Sequence, residues 1–311
     1  MQTKNSIREK MSFDVIIIGG GAAGVSAALW CDELQLKTLL LEAGSELGGQ
    51  LLRIYNPIKN HLGIETENGR ELRDIFIKQI KNRQFDVRLK SEIEQVDLKS
   101  KTVTLIGGDN FRARTIIVAT GVRRRKLNVE GEEEFTGRGI IESGKRDASL
   151  VRNKKVCVIG GGDAALENAL ILAETASKVT LIHRRKSFRA RAEFIEQAEN
   201  NRKIKILTET ILQKIVGGEK VEAVELKDLN TKEKFTVNVQ AVIFRIGVEP
   251  NTEFLHGRVA LDENGYIKIN QNCETNVKGI FAVGDVANPL APTVSSAVGM
   301  GATAVKTLFA D

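Results

Sequence analysis

This chain of 311 residues is poor in cysteine and in aromatic side chains. Its three cysteines, Cys31, Cys157 and Cys273, match neither a CxxC pair nor a metal-ligand spacing. The sequence therefore predicts neither a disulfide scaffold nor a metal site, and it favours the reducing cytoplasm. Aromatic residues make up only 5% of the chain, which argues against the stacking platforms of proteins that bind single-stranded nucleic acid. The remaining composition, 42% hydrophobic and 28% charged, is typical of a soluble globular protein of about two domains.

The sequence also lacks a long uninterrupted hydrophobic run. Arg8 and Lys10 precede an apolar stretch over 15–30, an order that is similar to a secretory signal peptide. Glycines at four positions between 19 and 24 would break the helix that such a signal needs, and no small-residue cleavage site follows. We therefore expect neither a signal peptide nor a membrane segment. Because 11–13 (Met-Ser-Phe) resembles a natural start, we expect residues 1–10 to be a flexible extension.

Positive charge and glycine are what the chain has in excess. Lysine and arginine outnumber aspartate and glutamate by 46 − 40 = 6, which gives a net charge of +6 and a pI near 9.1. Such a surface attracts phosphates and acidic proteins. The placement of the 28 glycines carries the more specific signal.

A repeat of long period organises these glycines. Residues 15–24, VIIIGGGAAG, return at 156–165 as VCVIGGGDAA, which is 160 − 19 = 141 residues later. Each copy is a β-branched run, a glycine turn, an apolar-periodic stretch and a second strand. The pattern therefore predicts two β-turn-α-β units.

In such a unit, three small residues have separate roles. The first permits the tight turn, the second lets backbone N–H groups approach a pyrophosphate, and the third lets the helix pack on the strand. Two copies in this context predict two dinucleotide-binding units. The three positions are Gly19, Gly21 and Gly24 in the first copy, and Gly160, Gly162 and Ala165 in the second.

The end of the second strand distinguishes the two copies. Glu42 lies 42 − 24 = 18 residues beyond the third small residue, and His183 lies at the same distance, 183 − 165 = 18. A carboxylate at this position accepts hydrogen bonds from ribose hydroxyls and repels a 2′-phosphate, so copy one suits FAD or NAD(H). Copy two continues as His183, Arg184 and Arg185, a cluster suited to the 2′-phosphate of NADPH. A solvated basic turn is the alternative interpretation.

Further motifs extend the pattern over nearly the whole chain. They are Gly48-Gly-Gln-Leu51, Ala119-Thr-Gly121, Gly137-Arg-Gly139, the spaced run from His183 to Arg189, Ile246-Gly247 followed by Pro250-Asn-Thr252, and Gly279 to Asp285. From about Phe13 onward the chain resembles the low-molecular-weight thioredoxin reductases and their relatives. The resemblance implies an α/β protein of two Rossmann-like three-layer domains, with an NADP domain at 123–248 inserted into a FAD domain at 1–122 plus 249–311.

The resemblance also implies the residues that bind each cofactor. Asp285 is supported independently, because it follows an apolar strand and a glycine, where a carboxylate can accept hydroxyl hydrogen bonds. The residues implied for FAD are Gly19, Gly21, Ala22, Ala23, Gly24, Glu42, Gly49, Gln50, Asn60, Ala119, Thr120, Gly121, Gly284, Asp285 and Thr293. Those implied for NADPH are Gly160, Gly162, Asp163, Ala164, Ala165, His183, Arg184, Arg185, Arg189 and Gly247.

One departure from the family concerns its redox-active cysteines. Thioredoxin reductases of this group carry a CxxC pair shortly after Gly-Arg-Gly, and the corresponding positions here are Ser143 and Arg146. Disulfide reduction needs one thiolate to attack and a second thiol to resolve. Cys31 and Cys157 lie in apolar segments and are expected to be structural, whereas a structural and a redox role both remain open for Cys273.

The sequence thus predicts a flavoprotein that passes electrons from NADPH through FAD to a protein acceptor. The missing dithiol and the basic charge favour a ferredoxin- or flavodoxin-type carrier, with a thioredoxin-like protein as a further acidic partner. The alternatives are a thioredoxin-type disulfide reductase that uses a non-standard or partner-supplied cysteine, an NAD(P)H oxidase, and a flavin-binding redox sensor. The resemblance also implies a homodimer.

Overall fold

The computed structural model describes residues 12–255 and 257–310. The expected extension at 1–10 lies outside these residues. The chain divides into two compact units, one formed by residues up to Arg123 and from Glu249 onward, and the other by Arg124–Val248. The two crossing segments, β7 (Val122–Arg124) and β16 (Val248–Pro250), pair with each other as a two-stranded sheet.

The first unit is built on a seven-stranded sheet. Strands β3, β2, β1, β6 and β17 pair in parallel, and β5 and β4 extend β6 as an antiparallel meander. The strands are β1 (Ser12–Ile18), β2 (Thr38–Leu41), β3 (Asp86–Arg88), β4 (Ile93–Asp97), β5 (Thr102–Leu105), β6 (Asn110–Val118) and β17 (Ile280–Ala282). The helices are α1 (Ala22–Glu33), α2 (Gly69–Ile80) and α5 (Val294–Ala310), with 3₁₀ turns at Gly49–Arg53, Glu253–Leu255 and Gly284–Val286.

The second unit repeats this plan in a smaller form. A five-stranded parallel sheet has the order β11-β10-β9-β15-β8, and β12, β13 and β14 form an antiparallel meander. The strands are β8 (Ile140–Ile141), β9 (Lys155–Gly160), β10 (Lys178–Ile182), β11 (Ile204–Leu207), β12 (Thr210–Gly217), β13 (Val221–Asp228), β14 (Lys234–Asn238) and β15 (Ala241–Arg245). The helices are α3 (Asp163–Thr175) and α4 (Ala192–Asn200), and a 3₁₀ turn covers Ala148–Val151.

The uninterrupted hydrophobic strands of the repeat result from burial on both faces of each sheet. In β1, Ile16 and Ile18 pack into one core while Val15 and Ile17 pack into the core on the opposite face. In β9, Val156 and Val158 face one core and Cys157 and Ile159 the other. A parallel strand covered on both sides has no solvent-facing positions, so its sequence shows no polar alternation.

The predicted α/β class and the two Rossmann-like sheets are confirmed. Both units contain the predicted strand–turn–helix–strand order, as β1, α1 and β2 in the first unit and β9, α3 and β10 in the second. The signal-like stretch forms β1, its glycine turn and most of α1. None of the helices of the described chain combines the length and hydrophobicity needed to cross a lipid bilayer.

Candidate functional site

At Gly19 and Gly24 of the first turn and at Gly160 of the second, the surrounding backbone excludes a side chain. Gly19 has φ +109°, and a Cβ there would lie 2.3 Å from the Ala119 carbonyl oxygen. A Cβ on Gly24 would lie 1.9 Å from the Gly19 carbonyl oxygen, so this glycine lets α1 lie directly on the turn. In the second unit a Cβ on Gly160 would lie 2.2 Å from the Arg245 carbonyl oxygen and 2.9 Å from Ala165 Cβ. These contacts explain the small residues at the turn and at the helix–strand contact.

The middle glycine of each turn is free of such contacts. The nearest atom to a Cβ on Gly21 is Gly49 Cα at 3.9 Å, and no atom lies within 4 Å of a Cβ on Gly162. Gly21 and Gly162 are the N-caps of α1 and α3, where backbone N–H groups are unpaired and the helix dipole favours negative charge. Open space in front of such a helix end fits the close approach of a pyrophosphate, and each unit therefore fits a dinucleotide.

In the first unit, this turn opens into a cleft of about 540 Å³. All residues that the sequence assigns to FAD line the cleft except Gly24, which packs α1 on β1, and Asn60. Asn60 lies exposed in the loop between Ile58 and Thr66, which closes on itself through a backbone bridge. The structure therefore does not bring Asn60 to the cleft. Lining residues that the sequence analysis did not assign include Arg53, Arg123 and Asn251.

The Glu42 carboxylate is fixed at the edge of this cleft. Its Oε2 accepts a hydrogen bond from the Gly20 N–H, and its Oε1 accepts one from the Gly44 N–H, both at 2.7 Å. An ionised carboxylate has about four lone-pair positions, so further acceptor capacity remains. Glu42 can thus hold the glycine turn and still receive ribose hydroxyls.

The residues that follow β17 and those that begin α5 also line the cleft. Burial raises the pKa of the Asp285 carboxyl, which accepts no hydrogen bond from the described part of the chain. The Thr293 hydroxyl caps α5 by accepting from the Ser296 N–H, while the Thr293 N–H donates to the Ala291 carbonyl. Thr293 therefore starts the helix at the cleft. A Cβ on Gly301 would lie 2.6 Å from the Ala23 carbonyl oxygen, so this glycine allows α5 to pack closely on α1.

The side chain of Gln50 is held in place by β7, the segment that leads out of the first unit. Its Nε2 donates to the Val122 carbonyl at 2.6 Å, which leaves the amide oxygen for other partners. Gly49 precedes it with φ +53°, and a Cβ on Gly49 would lie 3.0 Å from Gly21 Cα. The Gly48–Leu51 motif therefore packs against the glycine turn of the first unit.

The second unit contains its own cleft, of about 460 Å³, in front of its glycine turn. All residues that the sequence assigns to NADPH line it except Ala165, which is buried between α3 and β9. Residues that line this cleft without having been assigned include Arg125, Lys126 and Arg245.

The arginine cluster sits on a loop that is anchored at three places. The His183 imidazole is buried, stacks on Phe188 and interacts through Nε2 with the Ser187 carbonyl at 3.1 Å. The Arg189 N–H donates to the Gly161 carbonyl at 2.8 Å. Arg191 donates to the Asp163 carboxylate from its backbone N–H and from Nε, so the loop is also tied to the first residue of α3. These contacts leave Arg184, Arg185 and Arg189 exposed at the cleft.

The role of His183 differs from that of the neighbouring arginines. Burial lowers the pKa of the imidazole, and the positive charges of Arg185 and Arg184 lower it further. A neutral, packed ring supports the loop but adds no positive charge to it. The predicted equivalence with Glu42 holds for position, since both residues directly follow the second strand of the repeat.

The loop that contains Ser143 and Arg146 is closed by its own polar network. The Asp147 carboxylate accepts from the Glu142 and Ser143 N–H groups and from Arg146 Nε and Nη2. The Ser143 hydroxyl accepts from the Arg146 N–H at 3.2 Å, and the Gly144 N–H donates to Asn168 Oδ1 at 2.9 Å. Although burial acts to raise the pKa of Asp147, the hydrogen bonds from Arg146 and the two N–H groups hold it below its ordinary value.

The three cysteines are free and buried. Burial raises the pKa of Cys31 to about 12 and that of Cys273 to about 11, and it also raises the pKa of Cys157. Because the thiolate is the reactive form, none of these groups is poised for thiol–disulfide exchange near neutral pH. Cys273 packs in the core beneath α1 and α5, which agrees with a structural role.

Comparison with known proteins places these features in a family. Residues 13–301 match the family of pyridine nucleotide-disulphide oxidoreductases. The chain is 38% identical over 294 residues to a thioredoxin reductase of Mycolicibacterium smegmatis, and the alignment covers 94% of both chains. It is also similar to the crystal structure of Lactococcus lactis thioredoxin reductase in its FR conformation, with a TM-score of 0.83, 33% identity and coverage of 96% of this chain and 98% of that one. A bacillithiol disulfide reductase of Bacillus cereus, at 20% identity and a TM-score of 0.81 over 96% of this chain and 99% of its own, shares the fold.

These matches confirm the resemblance that the sequence motifs indicate. They cover both glycine turns and both clefts, and the expected cofactors, FAD and NADPH, are those of thioredoxin reductases. The chain therefore belongs to the pyridine nucleotide-disulphide oxidoreductase family, as an NAD(P)H-dependent flavoprotein oxidoreductase of the thioredoxin reductase-like type.

Proposed function

We propose that this protein passes electrons from NADPH through FAD to a separate protein acceptor, without a dithiol of its own. The observation that carries the proposal is the state of the cysteines, which are three buried thiols with raised pKa values. They are far apart in the chain, and the positions implied for the family's CxxC pair are Ser143 and Arg146. The acceptor must therefore receive electrons by a route that does not use a cysteine pair of this chain.

In this proposal FAD occupies the cleft of the first unit. Gly19, Gly21 and the N-terminus of α1 hold the pyrophosphate, and Glu42 binds the adenosine ribose. Asp285, whose carboxylate lines the cleft with unused acceptor capacity, binds hydroxyls of the ribityl chain. Gln50 and the N-terminal end of α5, which line the cleft, would contact the flavin, and the positive end of the helix dipole would favour negative charge there.

NADPH occupies the cleft of the second unit. Gly162 and the N-terminus of α3 hold the pyrophosphate, and Arg184, Arg185 and Arg189 bind the 2′-phosphate. The neutral His183 ring supports this loop from below. The domain boundaries implied by the family, 1–122 plus 249–311 and 123–248, then assign one cofactor to each domain.

A flavin bound in the first unit's cleft would supply hydride acceptance and the release of electrons singly or in pairs, while the residues of this chain would supply orientation and electrostatics. A one-electron carrier of the ferredoxin or flavodoxin type suits this chemistry. Such carriers are acidic, and the net charge of +6 favours their encounter with this protein. We further propose a homodimer that acts in the cytoplasm.

The test is anaerobic reduction of the purified yellow protein by NADPH and by NADH, followed by a panel of acceptors. We expect NADPH to bleach the flavin faster than NADH does, and ferredoxin or flavodoxin to accelerate NADPH oxidation. If neither carrier accelerates turnover, the acceptor assignment is wrong. If NADPH leaves the flavin oxidised, the protein is a flavin-binding sensor, and rapid turnover with oxygen alone would indicate an oxidase.

A second candidate is a thioredoxin-type disulfide reductase. It is favoured by the names of the relatives, since several proteins at 33–38% identity are thioredoxin reductases. In this case the electrons would pass through one of the three cysteines or through a cysteine of the partner. Thioredoxin-coupled disulfide reduction by the wild type that is lost in Cys273→Ala would support it, whereas activity that survives replacement of all three cysteines would exclude their use.

A further inference from the structure

Arg245 is a positively charged side chain in the second unit's cleft that forms no close ion pair with the described residues. It is the last residue of β15 and lines the cleft together with the Gly160–Gly162 turn. Its Nη1 donates to the Phe244 carbonyl at 2.9 Å, and its Nη2 donates to the Glu142 carbonyl at 2.7 Å and to Asn168 Oδ1 at 3.1 Å. All three acceptors are neutral, and no carboxylate of residues 12–255 and 257–310 lies within the 4.0 Å of an ion pair.

The environment of this guanidinium disfavours its charge. Burial and the positive charge of the neighbouring Arg124 lower the pKa of Arg245 to about 10, although the more distant carboxylates of Glu167, Asp147 and Glu142 act to raise it. The group nevertheless remains protonated at neutral pH. A half-buried cation whose hydrogen bonds all go to neutral carbonyl groups is incompletely compensated and gains from an anion that reaches it directly. A guanidinium has five N–H donors, and the three hydrogen bonds above leave two of them for a ligand.

The strand order indicates which part of the ligand lies at Arg245. The sheet order is β11-β10-β9-β15-β8, so the arginine cluster that follows β10 and the side chain that ends β15 lie on opposite sides of β9. Arg245 pairs with Gly160 across β9 and β15. A dinucleotide that crosses the glycine turn with its adenosine on the β10 side places its second nucleotide on the β15 side.

We propose that Arg245 is a nucleotide-binding residue that contacts the nicotinamide-side phosphate of NADPH. This inference rests on the proposed function, which assigns NADPH to this cleft. Glu142 and Asn168 act as positioning residues, because their carbonyl oxygens hold the guanidinium at the end of β15. The Ser143–Asp147 loop directly follows Glu142. It would thereby support nucleotide binding, which is a role that needs no cysteine.

The test compares two ligands in calorimetric titrations of the full FAD-loaded chain. NADP⁺ carries both phosphates of the diphosphate, whereas 2′,5′-ADP carries only the adenosine half. In Arg245→Met we expect the affinity for NADP⁺ to fall about 10- to 100-fold, the range that a hydrogen bond to a charged group provides. The affinity for 2′,5′-ADP should stay within about twofold, as it should for both ligands in the exposed control Arg202→Met.

Two further variants separate this inference from a folding defect and from a failure of the proposed function. Arg245→Gln keeps neutral donors toward Glu142 and Asn168, so it should show the same selective loss with an unchanged melting temperature. Unchanged NADP⁺ binding, or an equal loss of both ligands, would overturn the role of Arg245. Arg185→Ala should weaken both ligands, which supports the NADPH site whatever Arg245 does, and a wild type that binds neither ligand would overturn both proposals.

Discussion

Each glycine turn separates residues that the fold requires from residues that a ligand requires. A Cβ on Gly160 would collide with the Arg245 carbonyl, whereas a Cβ on Gly162 would meet no atom within 4 Å. In Gly162→Ala we therefore expect an unfolding free energy within about 0.5 kcal/mol of the wild type, because the new methyl group occupies open space. The affinity for NADP⁺ should fall at least about tenfold, because the methyl group would lie where the proposed binding mode places the pyrophosphate. Denaturant unfolding and NADP⁺ titration measure the two effects.

The matched control is Gly160→Ala in the same turn. Its Cβ would have to displace backbone, and overpacking of this kind costs roughly 1–3 kcal/mol. Gly160→Ala should therefore lower the free energy of unfolding, whereas Gly162→Ala should lower only the affinity for the ligand. A Gly162→Ala protein that is destabilised as much as Gly160→Ala would contradict the assignment.

Residues of local motifs could be predicted from the sequence, and residues set by tertiary contacts could not. Glu42 and His183 are fixed by their distance from a glycine turn, and both directly follow the second strand. Asn60 does not line the cleft, although its neighbour His61 contacts Ser295 near the start of α5. The path of the loop between Ile58 and Thr66 depends on such tertiary contacts, which no motif indicates. No local motif indicates Arg245, because its environment depends on Glu142, which is 103 residues away in the chain. Its position at a strand end, two residues before Gly247, was the available signal.

At the scale of elements, the loop between β8 and the turn at Ala148–Val151 depends on one carboxylate. Asp147 is 5% exposed, receives two backbone N–H groups and forms a two-point ion pair with Arg146. In Asp147→Asn we expect a loss of about 2 kcal/mol in the free energy of unfolding at pH 7, because hydrogen bonds to a charged acceptor are replaced by weaker ones. The measurement is denaturant unfolding, with the exposed Glu174→Gln as the control that should not change.

The pH dependence of this effect follows from the lowered pKa of Asp147. A carboxyl group whose pKa is lower in the folded state stabilises the fold fully above its ordinary pKa of 3.8, and the stabilisation is lost as the pH falls through the folded value. The stability difference between wild type and Asp147→Asn should therefore be constant near neutral pH and shrink below about pH 4. A difference that persists undiminished at pH 3 would show that the charge of Asp147 is not its cause.

The order of elements was more predictable than the loops between them. The strand–turn–helix repeat combines glycine spacing with apolar periodicity, and α1 and α3 begin at the residues that follow the turns. The Glu142–Asp147 loop has no periodicity, and its conformation depends on Asn168 in α3 and on the Asp147 carboxylate. The sequence indicated that cysteine is absent from this loop, but only the tertiary contacts explain the closed polar network.

On the scale of the whole molecule, the net charge attracts other proteins over a longer distance than the contacts inside the two clefts. The net charge of +6 belongs to the surface as a whole, whereas the proposed cofactor binding in the two clefts depends on contacts of a few ångströms. Electrostatic attraction between exposed charges is screened beyond about 10 Å at 0.1 M salt and beyond about 3 Å at 1 M. Salt therefore distinguishes the docking of an acidic carrier from electron transfer inside the protein.

We expect kcat/KM for a ferredoxin or flavodoxin acceptor to fall several-fold as NaCl rises from about 0.05 to 0.5 M, because screening slows the encounter of oppositely charged proteins. The assay uses saturating NADPH, so that weaker nucleotide binding does not limit the rate. A small neutral quinone serves as the control acceptor, since its encounter is not steered by charge and its kcat/KM should change little. If both acceptors lose activity in parallel, salt acts on the cofactor clefts or on the fold. If neither does, the basic surface takes no part in carrier recognition, and the acceptor must be recognised by contacts other than charge.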